Sequence, residues 1–257
     1  MWSLCCCPLF RLINSFVQIH LNYFLDSPKL LILLGVYLSM LSLTEENYLK
    51  SIYHLSEGGV KGVSTNAIAE AMNTKAASVT DMIKKLSGKS LIAYEKYYGV
   101  QITKQGKAAA LTVIRKHRLW ETFLVDKLNF SWDEVHEVAE QLEHIQSPLL
   151  IEKLDAFLGH PSKDPHGHPI PDRHGKISQE KCIALSEQEM KKKSHVHSVK
   201  NGSPTYLQYL SRIGIYIGAN VTILNKVEFD GSLEVMIDGK KKAFISRDAA
   251  SNLLVRG

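Results

Sequence analysis

Cysteine is nearly missing from the body of this chain. Of four cysteines, three are consecutive (Cys5, Cys6 and Cys7), which leaves Cys182 alone in the remainder. That excludes a disulfide-stapled scaffold and leaves no thiolate cluster for a soft metal. Long apolar runs are missing too. The longest uncharged stretches near the N-terminus, Leu12 to Leu25 and Leu30 to Thr44, fall short of the roughly 18 to 20 residues a membrane-spanning helix needs. There is no Walker loop and no nucleophile elbow, and HEVAE at 136–140 is not the HExxH of zinc hydrolases, so nothing marks an enzyme. A strong excess of one charge is also lacking. Lys plus Arg number 31 against 26 Asp plus Glu, a net +5, which permits nucleic-acid binding without establishing it. What remains is ordinary globular material, with 45% hydrophobic and 22% charged residues. Extensive disorder is excluded, and 257 residues allow one large domain or two to three small ones.

Residues 1–39 differ from the rest. They carry only three charged side chains, Arg11, Asp26 and Lys29. The segment is expected to be an extension foreign to the remaining fold, disordered or upstream of a true start at Met40. A signal peptide or a membrane tether is the competing reading, but no basic start followed by one apolar run and a small-residue cleavage site is present. From Met40 onward nothing looks secreted, so a cytoplasmic protein is expected.

From residue 44 the pattern becomes helical. TEENYLKSIYHLS places Tyr48, Leu49, Ile52, Tyr53 and Leu55 near helical spacing. Thr44 is the expected N-cap, and Gly58 and Gly59 end the helix. VSTNAIAEAMN predicts a short helix capped by Ser64 or Thr65. A turn at 73–75 leads to a third helix, AASVTDMIKKLSGKS, with Val79, Met82, Ile83 and Leu86 inward. LIAYEKYYGVQIT then alternates as a hairpin about Tyr98-Gly99. Helix, short helix, turn, polar-faced helix and hairpin describe a winged helix-turn-helix, whose second helix of the pair would enter the major groove. The wing, with Lys96 and Lys104, would face phosphates. The start of the third helix is the expected reading edge: Lys75, Ala76, Ser78, Thr80, Asp81 and Lys84, with Ser78 and Thr80 on phosphates. A small domain with no nucleic-acid role fits the same pattern.

Two more helices follow, Lys107 to Leu128 and Trp132 to Gln146. The loop GHPSKDPHGHPIPDRHG at 159–175 marks a domain joint. Beyond it CIALSEQ, HVHSVK, NVTILNKV, SLEVMID and KKAFIS read as short strands, interrupted by a helix at Tyr206 to Arg212. The expected fold is therefore mainly α with an α+β part: a winged domain at 40–105, a helical domain at 106–175 and an SH3-like β-barrel at 176–257.

The segment WDEVHEVAEQLEHIQ carries the chemistry. His136, Glu140, Glu143 and His144 stand at i, i+4, i+7 and i+8, one face of a helix. One helix upstream, His117 and Glu121 repeat the i, i+4 spacing. Two such stripes could meet around cations, and imidazole with carboxylate suits divalent Mn, Fe, Co, Ni or Zn. A solvated glutamate stripe with structural histidines fits the spacing equally.

These pieces in this order resemble the DtxR/MntR family of metal-dependent transcriptional repressors. The resemblance covers about residues 43–257 and rests on TEENYLKSIYHL, IAEAMNTKAASVTDMIKKL, RKHRLWETFL, VHEVAEQLEHI and DPHGHPIPD, with a FeoA-type SH3-like domain in the last 75 or so residues. It implies a principal metal site on Asn47, Glu140, Glu143 and His144, and an ancillary one on His117, Glu121 and His136. Position 47 is Asp in typical manganese sensors and Met in typical iron sensors; here it is an amide. Position 50, a carboxylate in some manganese sensors, is Lys50. The oxygen-rich set leans to Mn(II), with Fe(II) close behind. The resemblance also implies a homodimer, with Leu142, Ile145, Leu149, Leu150, Ile151 and Leu154 as interface material, on double-stranded operator DNA. A regulator with a purely structural metal and a metal-dependent enzyme are the competing readings.

Overall fold

The computed structural model describes residues 41–95, 97–178 and 180–257. The expectations for residues 1–39 and for Lys96 lie outside them. The first helix, α1 (Leu43–Leu55), buries Tyr48, Leu49 and Ile52. It starts one residue before Thr44, so Thr44 sits in the first turn and is not the cap expected for it. Ser64 does cap α2 (Thr65–Ala71), accepting a hydrogen bond from the Ala67 amide. The turn leads to α3 (Ala76–Gly88), which turns Val79, Ile83 and Leu86 inward.

The wing is the antiparallel pair β1 (Ile92–Glu95) and β2 (Gly99–Ile102). Gly99 is the first residue of β2 rather than part of the turn. Its φ is +82°, and a Cβ there would stand 2.4 Å from the Val63 carbonyl oxygen. Only glycine allows the Val63–Val100 bridge that ties the wing to the start of α2. Lys104 is the first residue of α4 (Lys104–Leu128), not of the wing, and this helix starts three residues earlier than periodicity indicated. Thr103 caps it, and Asn129 ends it in the left-handed region.

The next helix is shorter than expected. α5 runs only Val135–Leu142. Trp132 to Glu134 form a turn before it, and Glu143 and His144 lie in the turn after it. The four-residue stripe is thus a helix face for His136 and Glu140, continued by a turn for Glu143 and His144. Ser147 caps α6 (Pro148–Phe157), with Pro148 at its start. Leu119, Trp120, Leu124, Val135, Ala139, Ile151 and Leu154 form the core of this helical layer. Two interface candidates, Ile151 and Leu154, are therefore consumed by the protomer's own core, and Leu142 and Ile145 pack against it. Of that set Leu149 and Leu150 remain exposed, beside Phe157.

The C-terminal part is an antiparallel six-stranded sheet in the order β3-β8-β4-β5-β6-β7. The strands are β3 (Ile183–Ala184), β4 (Lys193–Val199), β5 (Asn220–Lys226), β6 (Leu233–Ile237), β7 (Lys241–Ile245) and β8 (Leu253–Arg256). CIALSEQ is mostly not strand: after β3 it passes into a 3-10 turn at Leu185–Glu187. Helix α7 (Pro204–Ile213) and the short α8 (Arg247–Ser251) complete this SH3-like domain. α8 and β8 had no separate sequence signal, because Ala-rich and Leu-rich residues run together there. Val196, Leu207, Leu210, Val221, Ile223, Leu233, Val235 and Val255 are among the residues of its core. Each such fully buried side chain contributes about 1.5–3 kcal/mol.

Candidate metal centre and nucleic-acid interface

Four segments converge beside α4. Helix α1 brings Glu46, Asn47 and Lys50, one turn apart on one face. Helix α4 brings Lys116, His117 and Glu121. Helix α5 and its following turn bring His136, Glu140, Glu143 and His144. The joint loop brings Asp164 and His166. Glu46, Lys116, His117, Glu121, Glu143, Asp164 and His166 are all buried, an unusual density of ionisable groups that demands internal pairing.

In the first group, Lys50 Nζ lies 2.5 Å from Glu140 Oε1 and 2.7 and 2.9 Å from the two oxygens of Glu143. His144 Nδ1 lies 2.6 Å from Glu46 Oε2, and its Nε2 is 3.6 Å from Glu143 Oε1. Gln146 donates to Glu46 Oε1 at 2.9 Å, and Lys116 Nζ stands 3.5 Å from the same oxygen. The Asn47 Oδ1 atom is buried and has no hydrogen-bond partner. A buried amide oxygen left without a donor costs about 1–3 kcal/mol; a cation ligated there would satisfy it.

His117 joins this group to a second one. Its Nδ1 is 2.6 Å from Glu143 Oε2 and its Nε2 is 3.0 Å from Glu121 Oε1. Burial works against the charged imidazole, but the hydrogen bonds to Glu121 and Glu143 prevail and push its pKa up to about 9. Glu121 and Glu140 respond in kind. Burial opposes their ionisation, yet hydrogen bonds from His117, His136 and His166 hold Glu121 well below its ordinary value. The charge of Lys50 likewise outweighs burial to lower Glu140.

Around Glu121 the partners are imidazoles. His136 Nδ1 is 3.6 Å from Glu121 Oε1 and its Nε2 is 3.6 Å from Glu140 Oε1. The rings of His117 and His136 meet edge to face at 5.0 Å. His166 Nδ1 reaches within 3.5 Å of Glu121 Oε2, while its Nε2 is 2.7 Å from the Trp132 carbonyl oxygen. A carbonyl only accepts, so Nε2 carries the hydrogen. The Nδ1 lone pair of a neutral ring then faces a carboxylate, an arrangement relieved by a proton or by a cation between the two. An imidazole that donates one N–H to a backbone carbonyl and offers the other nitrogen is oriented as a metal-ligating histidine is.

Sequence reasoning missed His166 and Asp164. His166 hangs on a loop set by Asp164, whose Oδ1 accepts from the amides of His166 and His168 at 2.8 and 2.9 Å. Gly167 permits the loop to touch the sheet: its φ is +82°, and a Cβ would fall 2.0 Å from the His197 carbonyl oxygen. His168 Nε2 then bonds the Val199 carbonyl at 2.8 Å. Three histidines with an aspartate at 160–168 were the available signal, masked by a composition typical of linkers. A cleft of about 560 Å³, with Lys50, His117, Glu121, His136, Glu140 and His166 on its wall, opens over this second group. The donor set is hard, with imidazole nitrogen and carboxylate or amide oxygen and no sulfur, and so fits a divalent first-row ion.

The expected reading edge lies on the surface of α3 and the residue before it. Lys75, Ala76, Ser78, Thr80, Asp81 and Lys84 are all exposed, opposite the buried Val79, Ile83 and Leu86. The Thr80 hydroxyl donates to the Ala76 carbonyl at 2.9 Å, and Lys84 pairs loosely with Asp81 at 3.4 Å. Both charges of that pair are largely solvated and add little stability.

A winged helix-turn-helix joined to a buried cluster of hard metal donors defines a metal-responsive DNA-binding regulator. Comparison with known proteins places it further. Residues 40–100 match the iron-dependent repressor N-terminal DNA-binding domain, 103–172 the iron-dependent repressor metal-binding and dimerisation domain, and 183–257 the FeoA domain. The iron-dependent repressor IdeR of Mycobacterium tuberculosis is 35% identical over 125 residues, 49% of this chain and 54% of that protein. The aligned part thus spans about half the length of that relative. An HTH-type transcriptional regulator of Methanocaldococcus jannaschii is 33% identical over 113 residues, 44% of this chain and 90% of its own length. A manganese-dependent transcriptional repressor solved in complex with manganese aligns with a TM-score of 0.76 and 35% identity, over 82% of this chain and 99% of its own. The chain belongs to the iron-dependent repressor family.

Proposed function

We propose that this protein represses transcription by binding operator DNA as a homodimer when Mn(II) or Fe(II) is bound. Asn47, Glu140, Glu143 and His144 hold one ion. His117, Glu121 and His136, joined by His166, hold a second. The carrying observation is the buried, partnerless Asn47 Oδ1 on the same helix face as Lys50, whose ammonium lies on Glu140 and Glu143. The domains divide as 40–105 for DNA, 106–175 for metal and dimerisation, and 176–257 for the SH3-like part.

The bound ion supplies concentrated positive charge to these carboxylates. The chain supplies the coupling. Asn47 rides on α1, which is packed in the winged domain, whereas Glu140, Glu143 and His144 belong to the helical body. Ligation by both fixes the reading helix α3 relative to the dimer body, and two half-sites must be met at one spacing. Ion binding therefore selects the DNA-competent arrangement, and by linkage operator DNA tightens ion binding by the same factor. Exposed Leu149, Leu150 and Phe157 supply apolar surface for the dimer. Exposed Ser78 and Thr80 face phosphates, with Lys75, Ala76, Asp81 and Lys84 at the same groove edge. The proposed site of action is the cytoplasm, where operator DNA would be met; among the described residues no helix is long and apolar enough to cross a membrane.

The test is selection of duplexes from a random-sequence DNA library with the full chain, in Mn(II) and in chelator. The proposal expects a palindromic site retained at least tenfold better in Mn(II). Equal retention in both buffers overturns it.

A further inference from the structure

One half-buried cation, Lys50, lies on the carboxylates of the ligand set just proposed without being part of it. Lys50 stands on α1 at i+3 from Asn47, and its ammonium makes three contacts of 2.5 to 2.9 Å with Glu140 and Glu143. The Glu143 side chain is fully buried and that of Lys50 is 15% exposed. A buried carboxylate needs a counter-charge, and Lys50 provides it. Its three N–H donors are spent on the same oxygens that a divalent ion would coordinate. An ammonium at hydrogen-bond distance from both carboxylates leaves no room for a second cation between them, and the two positive charges repel at short range with little water to screen them.

We infer that Lys50 is an intramolecular competitor for the first metal centre: its ammonium holds Glu140 and Glu143 until a divalent ion displaces it, and so sets the ion concentration at which the centre fills. This rests on the metal-ligand reading above. The ligand set Asn47, Glu140, Glu143 and His144 carries a formal charge of −2 with neutral imidazole; with the ammonium inside, an arriving ion meets only −1. The lysine stem has four methylenes and lies beside the open cleft, so the displaced ammonium can move to solvent while the stem stays packed. The group around Glu121 has no lysine contact of this kind among the described residues, so the competition is confined to the first centre.

The experiment titrates full-length wild type, Lys50→Met and Lys50→Gln with Mn(II) alone, by calorimetry and without DNA. Both variants are expected to bind the first equivalent at least tenfold more tightly than wild type. Their melting temperature in chelator should fall, and the rise on saturation with Mn(II) should exceed that of wild type. Unchanged or weaker binding in both variants, with wild type still binding, overturns the inference alone and makes Lys50 a fixed support for Glu143. Absence of any Mn(II) binding by wild type overturns both this inference and the ligand assignment. A second measurement needs no substitution and covers poor folding of the variants. Acylation of wild-type lysines, read by mass spectrometry, should label Lys50 several-fold faster in saturating Mn(II) than in chelator. Equal labelling, or slower labelling with the ion, overturns the inference.

Discussion

The two halves of the polar cluster share α4 and the turn after α5, yet they are neutralised differently. Around Glu46, Glu140 and Glu143 the partners include two ammonium groups, Lys50 at 2.5 to 2.9 Å and Lys116 at 3.5 Å, beside the His144 and His117 rings. Around Glu121 the ion-pair partners among the described residues are imidazoles alone: His117, His136 and His166. An ammonium has only donors, so it competes with any arriving cation. An imidazole can shed a proton and become a ligand itself. The first half is thus arranged to resist a metal until its concentration is high enough, and the second to convert its own partners into ligands. His117 lies between them, bonded to Glu143 on one side and Glu121 on the other, so the loss of His117 or of Glu143 reaches both halves.

The largest test of this contrast removes the shared carboxylate. Glu143 is fully buried and meets both Lys50 and His117. Glu143→Ala takes a carboxylate from Lys50 and from His117 at once, leaving them only Glu140 and Glu121, and breaking a buried pair costs about 3–5 kcal/mol. Urea unfolding in chelator is expected to show a loss of that size, together with loss of the first Mn(II) equivalent. A loss below about 1 kcal/mol would mean that the two halves are not cross-braced through Glu143.

A smaller effect should isolate the imidazole half. Gly167→Ala places a Cβ 2.0 Å from the His197 carbonyl oxygen at a φ of +82°, which costs roughly 1–3 kcal/mol. Relief requires the 164–168 loop to shift, and His166 shifts with it. The second Mn(II) equivalent should weaken while the first stays as in wild type. Calorimetric titration separates the two, and equal weakening of both would erase the distinction between the halves.

How much of this could be read from the chain follows from the same contacts. The winged domain was legible because Val79, Ile83 and Leu86, and the Ser64 cap, are local signals that tertiary packing reinforces. His117, Glu121, His136 and Glu140 were legible because i, i+4 spacing survives in any helix. The helix at 132–146 was drawn too long because its ends answer to distant partners. The Trp132 indole donates to Ser211 and its carbonyl accepts from His166, so residues 132–134 leave the helix. His166 was illegible for a related reason: its position depends on Gly167 meeting the sheet across a joint that composition marks only as a loop. Lys50 was visible as a basic residue where some manganese sensors have a carboxylate. That it bridges residues 140 and 143 is a fact of packing between α1 and α5, with no sequence signature.

The smallest predicted effect on stability is the most discriminating for the second centre. The His136 side chain is 54% exposed, and both its carboxylate contacts are 3.6 Å long. Such exposed ion pairs add little, so His136→Ala should alter unfolding free energy in chelator by no more than about 0.5 kcal/mol. A ligand that does little for the fold still matters to the ion. Loss of one imidazole donor from a three- or four-ligand set should weaken the second Mn(II) equivalent at least tenfold, leaving the first within twofold. If the second equivalent binds as in wild type, His136 is only a solvated neighbour of Glu121 and the centre consists of His117, Glu121 and His166. The imidazole half would then be assembled by α4 and the joint loop, and α5 would serve only the half that Lys50 guards.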